Sequence, residues 1–406
     1  MTAEPTKKTL LDVVVVGGGP AGATAAHHLA RQGASVALLD KAGRIKPCGG
    51  AIPPRLVRDY AIPDELLCAK ISSARMISPT ERAVDMPIEN GYVGMVDRDV
   101  FDEFLRERAA KSGAIRIRGT LTGVDTAPGR HPTVRYSVGG EQKTLTAKMI
   151  IGADGARSLV ARQALNGAVT KSVFAYHEIV EAPANGERFH GERCEVYYQG
   201  ALSPDFYAWV FPHGATASIG VGSAHKGFSL RSAVRTLRQA TGLDAVATRR
   251  TEGAPIPLKP LKKWDNGRDT VVIGDAAGVV APCSGEGIYY AMASGEVAAS
   301  VVSEILAGAP AKSLASIRKR FMKAHGRVFF ALGVLQWFWY SNDRRRERFV
   351  TMCEDKDVQQ LTFDAYMNKR LVRNRKAAHA RVFMKDFAHL TRLVRPMKRE
   401  KTSVST

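Results

Sequence analysis

The segment that decides the fold is residues 11–40, LDVVVVGGGPAGATAAHHLARQGASVALLD. It begins with an apolar run of the kind that forms a parallel strand covered on both faces. The alanine-rich residues 20–32 then predict a helix, which Gly33 ends. Residues 34–40, ASVALLD, return as a second strand. The segment therefore predicts a βαβ unit at the start of an α/β protein.

Residues 17–22, GGGPAG, place a GxGxxG fingerprint between this strand and this helix. Gly17 permits the tight turn, Gly19 lets the backbone approach a pyrophosphate, and Gly22 allows close packing of helix and strand. Free N–H groups and the helix dipole favour phosphate at this end, and Asp40 can accept hydrogen bonds from a ribose. We therefore predict a Rossmann-type dinucleotide site that contains Gly17, Gly19, Pro20, Ala21, Gly22, Asp40 and Lys41.

The composition indicates a globular protein. The chain has 406 residues, of which 45% are hydrophobic and 24% charged, which favours two or three domains and excludes a disordered or fibrous protein. Its five cysteines form no CxxC pair, so we expect no disulfide framework and no metal site. These features fit a cytoplasmic location. Residues 1–16 do not predict a signal peptide, because Asp12 interrupts the apolar run.

Two later segments, MIIGADG at 149–155 and TVVIGDAAG at 270–278, repeat the pattern of an apolar strand followed by glycine. Between them, residues 171–222 contain short segments rich in β-branched and aromatic residues, which predict an inserted antiparallel sheet. We predict a discontinuous cofactor domain at 1–75, 96–170 and 265–310. We predict that the antiparallel-sheet substrate domain comprises residues 76–95 and 171–264, and that residues 311–406 form a basic helical C-terminal region.

The later glycine motifs resemble those of the FAD flavoproteins that include the aromatic hydroxylases. GADGARS at 152–158 is similar to the DG motif of that family, and GDAAG at 274–278 is similar to its GD motif. The resemblance implies FAD as cofactor, with Asp154 in the DG motif. Gly274 and Asp275 form the GD motif, whose aspartate binds the ribityl chain. It also implies that Arg98, in VDRDVFDEFL, holds the diphosphate and adenosine side.

Three further segments resemble the geranylgeranyl reductases, above all those of chlorophyll and bacteriochlorophyll synthesis: KPCGGAIPP at 46–54, YAWVFP at 207–212 and PCSGEGIYYAMASG at 282–295. The resemblance implies an FAD-dependent reductase that converts a geranylgeranyl chain to phytyl. The chain would be carried as free diphosphate or esterified to chlorophyllide or bacteriochlorophyllide. NADPH or reduced ferredoxin would supply the electrons. An aromatic-ring monooxygenase and a non-catalytic prenyl-binding escort protein are the alternatives.

The chemistry of such a reductase restricts its site. An isolated alkene is not electrophilic, so a proton must be delivered with the hydride of reduced flavin in a water-poor channel. We predict Cys48 at the reacting carbons and Tyr207 and Trp209 as channel walls. Alternatively, Cys48 is a small buried thiol and the two rings are ordinary sheet core. The predicted substrate residues also include Gly49, Gly50, Phe211 and Pro212, and Gly285 and Gly287 are predicted to approach the flavin. His213 is predicted to be exposed in a hairpin turn.

The net charge of +20 is concentrated at the C-terminus. From residue 311 onwards there are 23 lysines and arginines against 8 acidic residues. Ahead of the arginines at 344–348 lies VFFALGVLQWFWY at 328–340, which is shorter than the roughly 20 residues that span a bilayer. Aromatic residues beside basic ones suit peripheral contact with the inner or photosynthetic membrane, whereas a buried core helix is the alternative. No nucleic-acid motif accompanies the charge, so we do not expect nucleic-acid binding.

Overall fold

The computed structural model of the protein describes residues 10–41, 45–89 and 91–369. Its strands are β1 Leu11–Val16, β2 Val36–Asp40, β3 Ala51–Ile52, β4 Ala69–Ile71, β5 Ser73–Ile77, β6 Ala83–Pro87, β7 Val93–Met95, β8 Ile115–Arg118, β9 Thr120–Asp125, β10 Thr133–Val138, β11 Glu141–Gly152, β12 Ser172–Glu181, β13 Arg193–Tyr197, β14 Ala208–His213, β15 Thr216–Ser223, β16 Thr248–Pro257 and β17 Thr270–Val272. Its α-helices are α1 Pro20–Arg31, α2 Pro54–Asp59, α3 Arg98–Lys111, α4 Leu159–Ala164, α5 Leu230–Thr241, α6 Ile288–Leu306, α7 Ala315–Trp339, α8 Asp343–Met352 and α9 Lys356–Asn368.

The first sheet is the predicted parallel sheet. Its strands run in the order β8, β2, β1, β11 and β17, all parallel. The apolar run of β1 is almost fully buried because α1 and other helices cover the sheet. Only the second half of β11 pairs with β1, whereas its first half pairs with the antiparallel strand β10, which in turn pairs with β9.

The second sheet is the predicted antiparallel insertion. Its order is β16, β12, β15, β14, β13, β5 and β6, and only β13 and β5 are parallel neighbours. A small third sheet of β3, β7 and β4 lies beside it. The predicted boundary at residue 76 falls inside β5, and β12 begins directly after the boundary at residue 171. The predicted α/β fold with an inserted antiparallel sheet and a helical C-terminal region is confirmed.

The C-terminal region packs against the second sheet and against α6. Within residues 328–340, one face of α7 is buried through Val328, Phe329 and Trp339. The opposite face exposes Phe330 and Trp337, at 76% and 75% of their surface. In the described ranges, no helix is both long enough and apolar enough to cross a bilayer. Residues 370–406 of the predicted basic region lie outside the described residues.

Candidate active site

The turn between β1 and α1 has the shape that a pyrophosphate requires. Gly17 adopts φ +104°, and a Cβ there would lie 2.3 Å from the carbonyl oxygen of Ala153. A Cβ on Gly22 would lie 1.9 Å from the carbonyl oxygen of Gly17. By contrast, no heavy atom of the described residues lies within 4 Å of a Cβ built on Gly19, and no described side chain caps α1. The backbone is therefore open where phosphate oxygens would be bound.

The end of β2 forms the adenosine side of this site. Asp40 accepts a hydrogen bond from the Gly18 N–H at 2.9 Å, and its other oxygen lies 3.2 Å from Arg106 Nη1. Arg106 also donates to the Gly18 carbonyl at 3.3 Å. Burial raises the pKa of Asp40. Lys41 is exposed at the end of the strand. Sequence reasoning missed Arg106, although it lies on the same helix as Arg98.

Asp154 of the DG motif serves the local structure. Its carboxylate accepts hydrogen bonds from the N–H groups of Leu159 at 2.7 Å and Val160 at 3.1 Å, and from the Ser158 hydroxyl. These bonds hold the first turn of α4. Since Gly17 packs against the neighbouring Ala153, Asp154 shapes the wall of the phosphate turn.

A cleft with a volume of about 100 Å³ separates the cofactor domain from the second sheet. It brings together many residues that are far apart in sequence. The predicted residues that line it are Pro20, Cys48, Gly49, Arg98, Trp209, Asp275, Gly285 and Gly287. Residues predicted to bind the cofactor and residues predicted to bind the substrate therefore lie around one cleft.

Asp275 lies at the carboxyl end of the parallel sheet, in a 3₁₀ turn directly after β17. It is buried, and its carboxylate forms an ion pair with the Lys46 ammonium. Lys46 also lines the cleft. In the sequence, Lys46 is marked only as the start of the KPCGG segment, because nothing local connects it with a residue 229 positions away.

Arg98 lines the cleft from the first turn of α3. It is buried and donates to both oxygens of Asp102 at 2.9 and 2.8 Å, and its guanidinium also interacts with the Cys48 thiol. Burial alone would lower the pKa of Arg98. The nearby Asp102 and Cys48 have the larger combined effect, so the pKa is raised. Arg98 therefore stays charged beside Cys48.

The Cys48 loop lies directly on the second sheet. A Cβ on Gly49 would be 3.1 Å from the Phe211 ring, and one on Gly50, which adopts φ +71°, would be 2.4 Å from His213 Cε1. Only glycine allows this approach. The prediction that His213 is exposed is wrong: its side chain is buried under this loop. Successive side chains of a strand alternate between faces, so Pro212 points away from Phe211.

The aromatic residues of β14 form the sheet-side wall. The Tyr207 hydroxyl donates to the Ser284 carbonyl at 2.6 Å, which ties the sheet to the loop at 282–287. Burial raises the pKa of Tyr207, so the phenol stays protonated. Trp209 Nε1 donates to the Ser218 hydroxyl at 3.0 Å, and its ring lies edge-on to that of Tyr207. Trp209 lines the cleft itself, whereas Tyr207 supports the loop beside it.

His177 on β12 is a second residue that sequence reasoning missed. It lines the cleft from the sheet side, with Nδ1 2.9 Å from the Ser218 hydroxyl and Nε2 3.1 Å from Glu252 Oε2. Burial alone would raise the pKa of Glu252, but its interactions with His177 and Arg250 together outweigh burial and lower it. A lone histidine in a strand gives no sequence signal. The structure thus places an imidazole ring opposite the cofactor domain.

The open turn at Gly19, the acidic end of β2 and the buried Asp275 define an FAD-binding protein. In agreement, the family described as "FAD binding domain" matches residues 10–319. A geranylgeranyl diphosphate reductase from Rhodobacter capsulatus is 55% identical over 95% of this chain and 98% of its own length. That of Synechocystis is 36% identical over 94% of this chain and 98% of its own length. The chain belongs to the geranylgeranyl diphosphate reductase family.

Solved structures show the same fold. A geranylgeranyl bacteriochlorophyll reductase-like protein from Thermoplasma acidophilum superposes with a TM-score of 0.76 at 23% identity, covering 91% of this chain and 99% of that protein. The flavin-dependent brominase Bmp2 gives a TM-score of 0.73 at 17% identity over 95% of this chain and 100% of its own. The predicted family, the flavin-dependent oxidoreductase class and FAD as cofactor are confirmed.

Proposed function

We propose that this protein is an FAD-dependent reductase that saturates isolated double bonds of a geranylgeranyl chain to give phytyl. Membership in the family supports this proposal. The observation that carries it is the cleft, which is lined by cofactor-domain residues such as Asp275 on one side and by Ala175, Trp209 and Ile256 of the second sheet on the other. We infer that an apolar prenyl chain would lie between these walls, next to a flavin.

Bound FAD supplies hydride, and the residues of this chain supply the rest. Asp275 is positioned to accept from the ribityl chain, and the Lys46 ammonium balances its charge. The apolar sheet face excludes water, and the face of Trp209 stabilises positive charge that develops on the alkene. Cys48 on the cofactor side and His177 on the sheet side both line the cleft, and we propose them as the groups that deliver the proton.

The electron donor and the form of the substrate are part of the proposal. We infer that NADPH reduces the flavin by docking transiently, because the sequence contains a single dinucleotide fingerprint. Reduced ferredoxin is the alternative donor. The names of the relatives favour free geranylgeranyl diphosphate as substrate, with the ester of chlorophyllide or bacteriochlorophyllide as the alternative.

We also infer that one face of α7 rests on an anionic membrane. Lys323 and Arg327, followed by Phe330, Val334 and Trp337, are spaced by three or four residues and are all exposed. This spacing places them along one stripe of a helix, with basic residues at one end and apolar ones at the other. An apolar stripe with adjacent basic charge suits a bilayer surface, where a twenty-carbon prenyl substrate would reside.

Incubating the FAD-loaded protein and NADPH with each substrate form tests the reaction. Mass spectrometry should show the gain of two hydrogens for each double bond reduced. Cys48→Ala should keep FAD but reduce the alkene about a hundredfold more slowly, the contribution of a positioned proton donor. Cys353→Ala, at a cysteine outside the cleft lining, is the matched control.

Two outcomes would contradict the proposal. If neither substrate is reduced while the flavin itself accepts electrons, the protein is not a prenyl reductase. If Cys48→Ala reduces the alkene at the wild-type rate, the reaction stands but Cys48 takes no part in it.

A further inference from the structure

The loop at 282–287, which lines part of the cleft, is held by residues of the C-terminal region. Gln336 of α7 accepts a hydrogen bond from the Cys283 N–H at 3.2 Å. The hydroxyl of Tyr340, the residue after α7, donates to the Cys283 carbonyl at 3.0 Å. The loop therefore does not take its position from the cofactor domain alone.

A third contact between this loop and the C-terminal region is a buried ion pair. Lys369, the C-cap residue of α9, places its ammonium 2.8 Å from Oε2 of Glu286, and the two side chains are only 3% and 4% exposed. The other carboxylate oxygen of Glu286 accepts a hydrogen bond from the Tyr289 N–H at 2.9 Å, in the first turn of α6. Lys369 thus contacts the residue that links the loop to α6.

The surroundings of Lys369 differ from those of a surface lysine. Its backbone adopts φ +52°, a left-handed conformation that is uncommon for residues other than glycine. Its ammonium lies 3.9 Å from the ring centroid of Tyr366 and 5.8 Å from that of Tyr289. Burial lowers the pKa of Lys369, against the opposing effect of Glu286. Since a buried charge without a partner is costly, the carboxylate of Glu286 is what allows this lysine to be buried.

The cation comes from outside the part of the chain that matches the FAD-binding family, which ends at residue 319. Arg55, another cation near this pair, forms its own ion pair with Asp59 at 2.8 Å. We propose that Lys369 is a positioning residue, which connects the loop at 282–287 to α9 and offsets the negative charge of Glu286 beside the flavin. The proposal rests on the proposed function in one respect, the placement of FAD next to this loop.

Two consequences follow for the bound flavin. Without the contact to α9 the loop opens more often, so FAD leaves the protein faster. Without the ammonium, the carboxylate of Glu286 is left uncompensated, which disfavours the reduced flavin because reduction adds negative charge nearby. The midpoint potential of the flavin should then become more negative. A residue that only stabilised the fold would have neither effect.

Lys369→Met removes the ammonium and keeps most of the side-chain length. When FAD-loaded protein is diluted, the recovery of flavin fluorescence should show FAD leaving this variant about tenfold faster or more, since a charge-assisted contact is lost. Reductive titration against a reference dye should show a midpoint potential lower by about 30 mV or more, which corresponds to a tenfold change for a two-electron couple.

Arg238→Met is the matched control. Arg238 forms an ion pair with Glu178 at 2.6 Å, its side chain is 11% exposed, and it lies outside the cleft lining. Losing this cation should lower the free energy of unfolding in urea without changing the FAD dissociation rate or the midpoint potential.

Lys369→Met/Glu286→Gln separates the two effects. It leaves no unpaired buried charge, so it should fold even where the single variant does not, and glutamine can still accept the Tyr289 N–H. FAD should still leave this variant faster than the wild type, because the contact with α9 is lost. The midpoint potential, by contrast, should return towards the wild-type value.

Wild-type FAD dissociation and potential in Lys369→Met, with only a lower free energy of unfolding, would overturn the proposal. Wild-type dissociation from the double variant would also overturn it, and so would a potential there as negative as in Lys369→Met, because the charge of Glu286 would not be its cause. None of these measurements uses a prenyl substrate. If they behave as expected but no prenyl chain is reduced, the proposed reaction fails and the role of Lys369 stands.

Discussion

Acidification should destabilise this protein through His325, a residue of α7. Its ring lies among those of Phe321 at 4.8 Å and Tyr290 at 5.3 Å between centroids, and it is 9% exposed. Its Nδ1 has no hydrogen-bond partner among the described residues. Burial lowers the pKa of His325 from 6.5 to about 4, and the charges of Arg55 and Lys369 act in the same direction.

The sign of the effect follows from proton binding. Between these two pKa values the unfolded chain binds a proton that the folded protein does not, so stability is lost as the pH falls below 6.5. One pKa unit corresponds to about 1.4 kcal/mol. The difference between 6.5 and about 4 therefore amounts to about 3 kcal/mol of unfolding free energy near pH 4, of which about 2 kcal/mol is already lost at pH 5.

Urea unfolding at pH 7 and pH 5 in excess FAD would measure this loss in the wild type and in His325→Phe. Phenylalanine keeps an aromatic ring in an aromatic pocket and cannot bind a proton. The variant should lose about 2 kcal/mol less than the wild type between the two pH values. His131→Phe, at an exposed loop position, should behave like the wild type. Equal losses in wild type and His325→Phe would mean that the folded protein accepts the proton, and the burial argument would be refuted.

Two further predictions concern the cofactor and the membrane. Asp275→Asn should weaken FAD binding about tenfold or more, because a charge-assisted hydrogen bond contributes about 1.5–3 kcal/mol; an unchanged Kd from flavin fluorescence would contradict the placement of the ribityl chain. The protein should co-sediment with anionic liposomes, less so at high salt, and Phe330→Ser/Trp337→Ser should stay largely in the supernatant. Wild-type protein that remains in the supernatant at low salt would contradict membrane contact.

The parts of the site that sequence reasoning reached are those with local signals. Gly17, Gly22 and Asp40 belong to one continuous βαβ segment, so spacing alone fixes their roles. Asp275 was predicted because it lies in a segment that resembles the GD motif. That segment directly follows a predicted parallel strand, which the sequence shows locally. The fold class was predicted in the same way, because an apolar run followed by glycine is a local sign of a buried parallel strand.

The parts that sequence reasoning missed depend on contacts between distant segments. No local pattern pairs Lys46 with Asp275 or His177 with Glu252. His213 precedes a glycine turn, which predicts exposure, but the Cys48 loop covers it. Arg106, which contacts Asp40, was missed because no motif marks it and its partner lies in a distant segment.

The order of strands in the first sheet has a consequence for how the chain is made. β1 and β17 flank β11 in the same sheet although about 260 residues separate them. At a synthesis rate of about 5–20 residues per second, roughly 13–50 s pass between the emergence of the two. β11 ends at Gly152, so its edge is unpaired in the last part of this interval, while residues 153–269 are made, and such an edge promotes aggregation. Asp275 and the loop at 282–287 emerge later still. The β1–α1 turn and Asp40 are therefore made long before the residues of the GD motif, and the site is complete only once β17 has joined the sheet.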